Sequence, residues 1–200
     1  MDTQQKNTKK SKRTRSPDYP QYTLEECIKF LGMFVKANGG FNAEAHMDVA
    51  VESMGHSTKS STAIRVVASM QHYGLFDVRG SGADRFFQPS DLAGEIYKAN
   101  EQSPERIKAL QTAALNPSAM QTVWEKWGPN IPSEPSLRKS LEVEFSFSNL
   151  GAKRFSTVAT ENYQYARLAK NGKIEPETEA DSKSDERPQG KVDMSQTGGS

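Results

Sequence analysis

A mainly α-helical fold is expected, with a small β-hairpin behind the third helix and an all-helical second half. Three observations predict it. Apolar residues recur at helical spacing from Leu24 onward. A glycine-rich turn, Gly80-Ser81-Gly82, separates two short β-prone runs. After Pro89 the spacing returns to that of helices and stays there to about Ala169.

Tyr19-Pro20-Gln21-Tyr22 leads into Thr23, with Glu26 three residues later. The Thr23 hydroxyl can accept from the Glu26 amide while the Glu26 carboxylate reaches back, a capping box that starts a helix. Leu24, Cys27, Ile28, Leu31, Phe34 and Val35 form its apolar face, and Asn38-Gly39-Gly40 ends it. Asn42 is expected to cap a second helix through Met54, on the stripe Met47, Ala50, Val51 and Met54, with Gly55 closing it. Ser57 or Thr58 is expected to cap a third, running to about Tyr73 on the stripe Ala63, Ile64, Val67 and Met70. Two helices separated by so short a turn at a glycine have the local pattern of a helix-turn-helix.

Residues 74–78 and 85–88 read as the two strands of a hairpin around a turn at 79–84. Three helices followed by such a hairpin make a winged helix-turn-helix, whose third helix can enter a major groove while the wing lies along the backbone. A three-helix domain with an incidental hairpin is the alternative. Leu92, Ile96 and Tyr97 then mark a fourth helix. Ser103-Pro104-Glu105 combines a cap, an N1 proline and an acidic first turn, ahead of the stripe Ile107, Leu110, Ala114 and Leu115. Asn116-Pro117 separates this helix from one carrying Met120, Val123, Trp124 and Trp127, the tryptophans serving as core or helix-packing residues. Ser136, Leu137 and Leu141 mark a short helix, and Ser148 caps a last one from Asn149 to about Ala169 with Ala152, Phe155, Val158, Ala159 and Tyr163 inward.

Composition bounds the rest. Only 34% of the 200 residues are hydrophobic and 26% are charged, which points to unpacked ends around a compact middle. The formal net charge of +1 hides an uneven distribution. Residues 1–17 carry Lys6, Lys9, Lys10, Lys12, Arg13 and Arg15 against Asp2 alone, a net +5, whereas residues 174–200 carry −4. The expected organisation is a disordered basic arm (1–17), a winged-helix-like domain (18–100), a helical region packed on it (101–171) and a disordered acidic tail (172–200). One cysteine excludes an intramolecular disulfide, and His46, His56 and His72 lack metal-ligand spacing. No apolar run approaches a membrane span, so a cytoplasmic protein is expected.

No constellation points to catalysis, and neither a cofactor nor a small-molecule substrate is expected. Gly80-Ser81-Gly82 lies between strands and lacks the lysine of a phosphate-binding loop. Cys27 falls on the apolar stripe of the first helix, where a buried thiol has a raised pKa and little reactivity. Glu142 and Glu144 would diverge on a helix and are read as solvated.

The order of residues also resembles a family of uncharacterised prokaryotic and phage proteins. The similarity is carried by Tyr19-Pro20, His72-Tyr73-Gly74-Leu75, Leu92-Ala93, Ala109-Leu110 through Asn116-Pro117, and Ile131-Pro132-Ser133 before Leu137. It spans about residues 19–168 and implies a winged-helix-like half ahead of a helical half, with no activity attached.

Function therefore rests on charge and shape. Acidic groups collect on the first two helices, whereas residues 55–87 hold Lys59, Arg65, Arg79 and Arg85 against Asp77 and Asp84. Hydroxyls at the start of the third helix, Ser60 among them, suit phosphate contacts, and Arg65 suits a guanine edge. The expected nucleic-acid contacts are Lys59, Ser60, Arg65, Arg79 and Arg85, assisted by Lys9, Lys10, Lys12, Arg13 and Arg15 of the arm. The partner expected is double-stranded DNA. The competing reading is a protein-interaction or homodimerisation module, which the net −3 of residues 18–100 favours.

Overall fold

The computed structural model describes residues 16–82 and 84–169. The expected arm and tail, apart from Ser16 and Pro17, fall on residues 1–15 and 170–200 and lie outside the described residues. Eight helices and three strands are described: α1 (Leu24–Asn38), β1 (Ala45–His46), α2 (Met47–Ser53), α3 (Ser61–His72), β2 (Phe76–Arg79), β3 (Phe86–Pro89), α4 (Asp91–Lys98), α5 (Pro104–Leu115), α6 (Ser118–Trp127), α7 (Glu134–Val143) and α8 (Asn149–Tyr165).

Three of the expected caps, Thr23, Ser103 and Ser148, start their helices, and Ser90 starts a fourth. Thr23 Oγ1 accepts from the Glu26 amide at 3.2 Å, and Glu26 Oε2 accepts from the Thr23 amide at 2.8 Å, completing the capping box of α1. Ser90, Ser103 and Ser148 accept from the amides of Ala93, Arg106 and Gly151 at the heads of α4, α5 and α8. Gly39, left-handed at φ 86°, closes α1.

The second helix is shorter than expected. Asn42 does not cap it: Ala45 and His46 instead form β1, paired antiparallel with Phe87 and Phe86 of β3, and α2 begins only at Met47. Burial of Ala45 in the sheet outweighs the helix-forming tendency of the stretch before it. The third helix starts later than expected as well, with Ser60 as its cap in place of Ser57 or Thr58. Within it Val66 is buried and Ile64 is 58% exposed, so the inward place expected for Ile64 is taken by Val66, two positions later. Both residues are β-branched and apolar, but Val66 lies three residues after the buried Ala63 and four before Met70, on the inward face, whereas Ile64 is adjacent to Ala63 and turns off it.

The sheet is antiparallel with strand order β1-β3-β2. Phe76 faces Pro89 and Arg79 faces Phe86 across the hairpin. Tyr97 is 47% exposed, lying on Phe41 with centroids 5.0 Å apart in place of the inward position expected. Helix α7 is longer than its stripe announced, and α8 ends at Tyr165, four residues short of the expected Ala169, although Ala166, Leu168 and Ala169 remain buried.

The two halves share one core. Leu24, Phe34, Val67, Tyr73 and Phe87 from the first join Met120, Leu137, Phe155 and Tyr163 from the second in a continuous cluster of buried side chains. A polar knot holds the seam. Asn162 of α8, fully buried, accepts from the Leu24 amide and donates to the Tyr73 hydroxyl, both at 2.8 Å. That hydroxyl in turn donates to the Tyr22 carbonyl at 2.8 Å. Burial, the largest cause, pushes the Tyr73 phenol well above its ordinary pKa.

Candidate nucleic-acid interface

Helix α3 buries Ala63, Val66, Val67, Ser69 and Met70 and turns Ser61, Ile64 and Arg65 outward. The stretch between α2 and α3 leaves Lys59 exposed immediately before the cap. Ser60 is committed to that cap, its Oγ accepting from the Thr62 amide at 3.1 Å. Neither Lys59 nor Arg65 has a carboxylate within 4.0 Å among the described residues. These two cations stand free at the head of an exposed helical face.

The hairpin uses its cations differently. Gly80 adopts φ 85°, and a Cβ there would meet the Asp84 carbonyl oxygen at 2.2 Å, so the turn requires glycine. Arg79 forms a bidentate pair with Glu44, Nε to Oε1 at 2.9 Å and Nη2 to Oε2 at 2.8 Å, while its guanidinium lies 4.8 Å from the centroid of Phe86. The hydrogen bond from Arg79 holds the Glu44 carboxyl below its ordinary range, and Glu44 raises the Arg79 pKa. Arg85 donates from Nε to the Gly82 carbonyl at 2.9 Å and lies 5.7 Å from the Phe87 centroid. Thus Arg79 is neutralised in place and Arg85 braces the turn. The Arg79–Glu44 link was not legible in sequence, because β1 brings residue 44 beside the hairpin and two residues make too short a strand to signal.

Lys9, Lys10, Lys12, Arg13 and Arg15 lie outside the described residues, but the root of the arm is visible. Ser16 Oγ lies 3.0 Å from Ser148 Oγ and accepts from the Ser148 amide at 3.0 Å. Tyr19 packs on Phe147 and Phe155, with centroids 5.6 and 5.4 Å away. Asp18 Oδ1 lies 3.5 Å from His72 Nε2, so the arm starts beside the C-terminal end of α3.

The groups considered for catalysis are held apart. Cys27 is fully buried, and burial pushes its thiol well up. His46 accepts at the head of α2, the His56 ring lies 5.2 Å from Phe30, and His72 faces Asp18. Trp124 packs on Tyr163 and Trp127 on Phe145. Glu142 and Glu144 are each engaged, the first by Arg138 and Asn149 and the second by Lys126. Among the described residues, no group of three or more metal-ligating side chains occurs and no helix is long and apolar enough to cross a membrane.

No protein family, curated protein or solved structure matches the chain.

Proposed function

We propose that the protein is a non-catalytic, cytoplasmic winged-helix DNA-binding protein, a transcriptional regulator or accessory factor, that reads double-stranded DNA through α3. The observation that carries this reading is the element order α1-β1-α2-α3-β2-β3 with sheet order β1-β3-β2, combined with exposed Lys59 just before α3 and Arg65 on its outer side, neither paired with a carboxylate among the described residues. In this arrangement the hairpin is a wing whose bulk, set by Gly80, flanks the helix. Arg65 addresses base edges and Lys59 addresses phosphate. Arg79 serves the wing as a brace, and the arm adds phosphate contacts that make affinity steeply salt-dependent.

Arg65→Ala is expected to weaken binding by about 1–3 kcal/mol and to relax sequence preference, while Lys59→Ala weakens all sequences alike and lowers the salt slope by about one. Titration of the full chain against a random-sequence duplex pool at two salt concentrations measures both. Binding unchanged by either substitution would sink the reading.

A second reading is a protein-interaction or homodimerisation module, favoured by the neutralised Arg79 and the 58% exposure of Ile64 on α3. Deleting residues 1–15 separates the two. A DNA reader loses affinity strongly at low salt, whereas an interaction module keeps its partner.

A further inference from the structure

A groove of 670 Å³ lies where α1 and α4 of the first half meet α5 and α8 of the second. Its volume is within the range of small-molecule sites, about 300–1,000 Å³. Ile28, Ile107 and Leu110 give it an apolar lining, and Tyr97 and Tyr165 add aromatic rings. Gly32, in the middle of α1, also lines it, and a Cβ there would lie 3.5 Å from Tyr97 Cε2. Glycine inside a helix is destabilising relative to alanine, yet α1 carries it where a longer side chain would fill the space beside the Tyr97 ring.

The charged side chains of the groove do not cancel. Lys29 and Glu25 pair at 2.8 Å, which leaves Arg106 and Arg167 against Glu101. Neither arginine has a carboxylate within 4.0 Å among the described residues. Arg106, half-buried in the first turn of α5, donates from Nε to the Ile96 carbonyl of α4 at 2.8 Å, which fixes the guanidinium and leaves its Nη groups for another acceptor. Arg167 follows α8 with φ 54°, a left-handed conformation that a non-glycine residue keeps only where its surroundings hold it. They do so here: its carbonyl accepts from Gln111 Nε2 at 3.3 Å, and its Nη2 donates to Gln102 Oε1 at 2.7 Å. A strained backbone that presents a cation to a partly apolar groove is the kind of feature that binding sites retain.

We infer that this groove binds a small monocarboxylate with an apolar body. Arg106 and Arg167 meet the carboxylate, and the body lies on Ile28, Ile107 and Leu110 beside the two tyrosines. One positive charge in excess, carried by guanidinium groups, matches a single carboxylate, which arginine holds through paired N–H donors. A dianionic phosphate would set a second, uncompensated charge against Glu101. Because the lining comes from both halves, a ligand here binds only the joined core and raises Tm as its concentration rises. The inference stands apart from the DNA reading, since it uses no residue of α3 or of the wing, and binding involves no chemical step.

The test titrates the full chain by calorimetry with 2-naphthoate and with its neutral counterpart 2-naphthamide. One site per chain is expected for the acid, with a Kd of about 1 mM or below, and binding of the amide roughly tenfold or more weaker. Arg106→Gln and Arg167→Gln are each expected to reduce affinity for the acid toward that of the amide and to leave the amide unchanged. Gly32→Leu, which fills the groove and keeps both arginines, is expected to weaken acid and amide alike, whereas Lys139→Gln, outside the groove, changes neither. Melting without ligand checks that each variant is folded. If Arg106→Gln melts early through loss of its contact with Ile96, Arg167→Gln carries the charge test. No saturable binding of 2-naphthoate up to about 10 mM overturns the inference. So does equal affinity for acid and amide, or binding that survives Gly32→Leu.

Discussion

Helices α3 and α8 are both amphipathic, and they meet through Asn162 and Tyr73, yet they are built for different ends. Helix α8 runs 17 residues and buries eight of them, from Gly151 to Tyr163, with Phe155 stacked on Phe147 at 5.3 Å. Helix α3 buries five of its 12 residues and leaves Ser61, Ile64 and Arg65 in solvent near its start. The contrast separates a helix that holds the fold together from one that offers a surface. Substitutions on the buried side of α8 should therefore act on stability, and those on the outer side of α3 on binding.

The largest expected effect is that of Phe155→Ala. It removes a fully buried ring between Tyr19 and Phe147 and should cost about 3–5 kcal/mol in denaturant unfolding. A loss below about 1 kcal/mol would mean that α8 is not the organising helix. Next is Asn162→Ala, which strands the Leu24 amide and leaves the Tyr73 hydroxyl with only the Tyr22 carbonyl, and should cost roughly 2–4 kcal/mol. Because the knot joins both halves, calorimetry should show one transition at a lower Tm. Two separated transitions in the parent would break the picture of a shared core.

Arg65→Ala sharpens the comparison from the other side. An exposed side chain with no acidic partner among the described residues should change stability by less than about 0.5 kcal/mol while binding falls by the roughly 1–3 kcal/mol stated above. A loss of stability comparable to that of Asn162→Ala would place Arg65 among the structural residues.

The smallest effect is electrostatic. Burial first, and then the charges of Glu26, Glu134 and Glu25, hold the Glu161 carboxyl of α8 above its ordinary pKa. The folded chain then binds that proton more tightly than the unfolded one, so this group's contribution to stability falls as pH rises from the ordinary carboxylate range through the raised value. Glu161→Gln should raise Tm at neutral pH by no more than about 2 °C, since the side chain is largely exposed, and the gain should vanish below about pH 4. A gain that persists in acid would assign the effect to something other than charge.

Much of this molecule was legible in advance because its helices carry their own punctuation. Thr23 and Glu26, Ser103 with Pro104, and Ser148 act within four residues of themselves, so local chemistry suffices to place the starts of α1, α5 and α8. The inward residues of α8 followed from spacing alone. The hairpin also followed from its neighbours, because Gly80 is required wherever the chain reverses that tightly. Of the expected contact residues, Lys59 and Arg65 stand exposed and without carboxylate partners among the described residues. Arg79, Arg85 and Ser60 have intramolecular uses that the charge pattern did not disclose.

The sequence by itself determined the helical stretches, the turn at Gly80 and the burial of Cys27, since each depends on residues adjacent in the chain or on a repeating apolar face. Only the tertiary structure decided the rest. Strand β1 exists because β3 lies beside it, and the free or spent state of each arginine depends on residues such as Glu44 that are 35 positions away. Arg154 reaches the arm root only because Gln21, 133 positions earlier, is pinned to Ser69. Such contacts are selected by the whole packed chain, where the loss of entropy on closing a long loop is offset by burial of the surrounding core, and no local pattern records which distant partner that packing will supply.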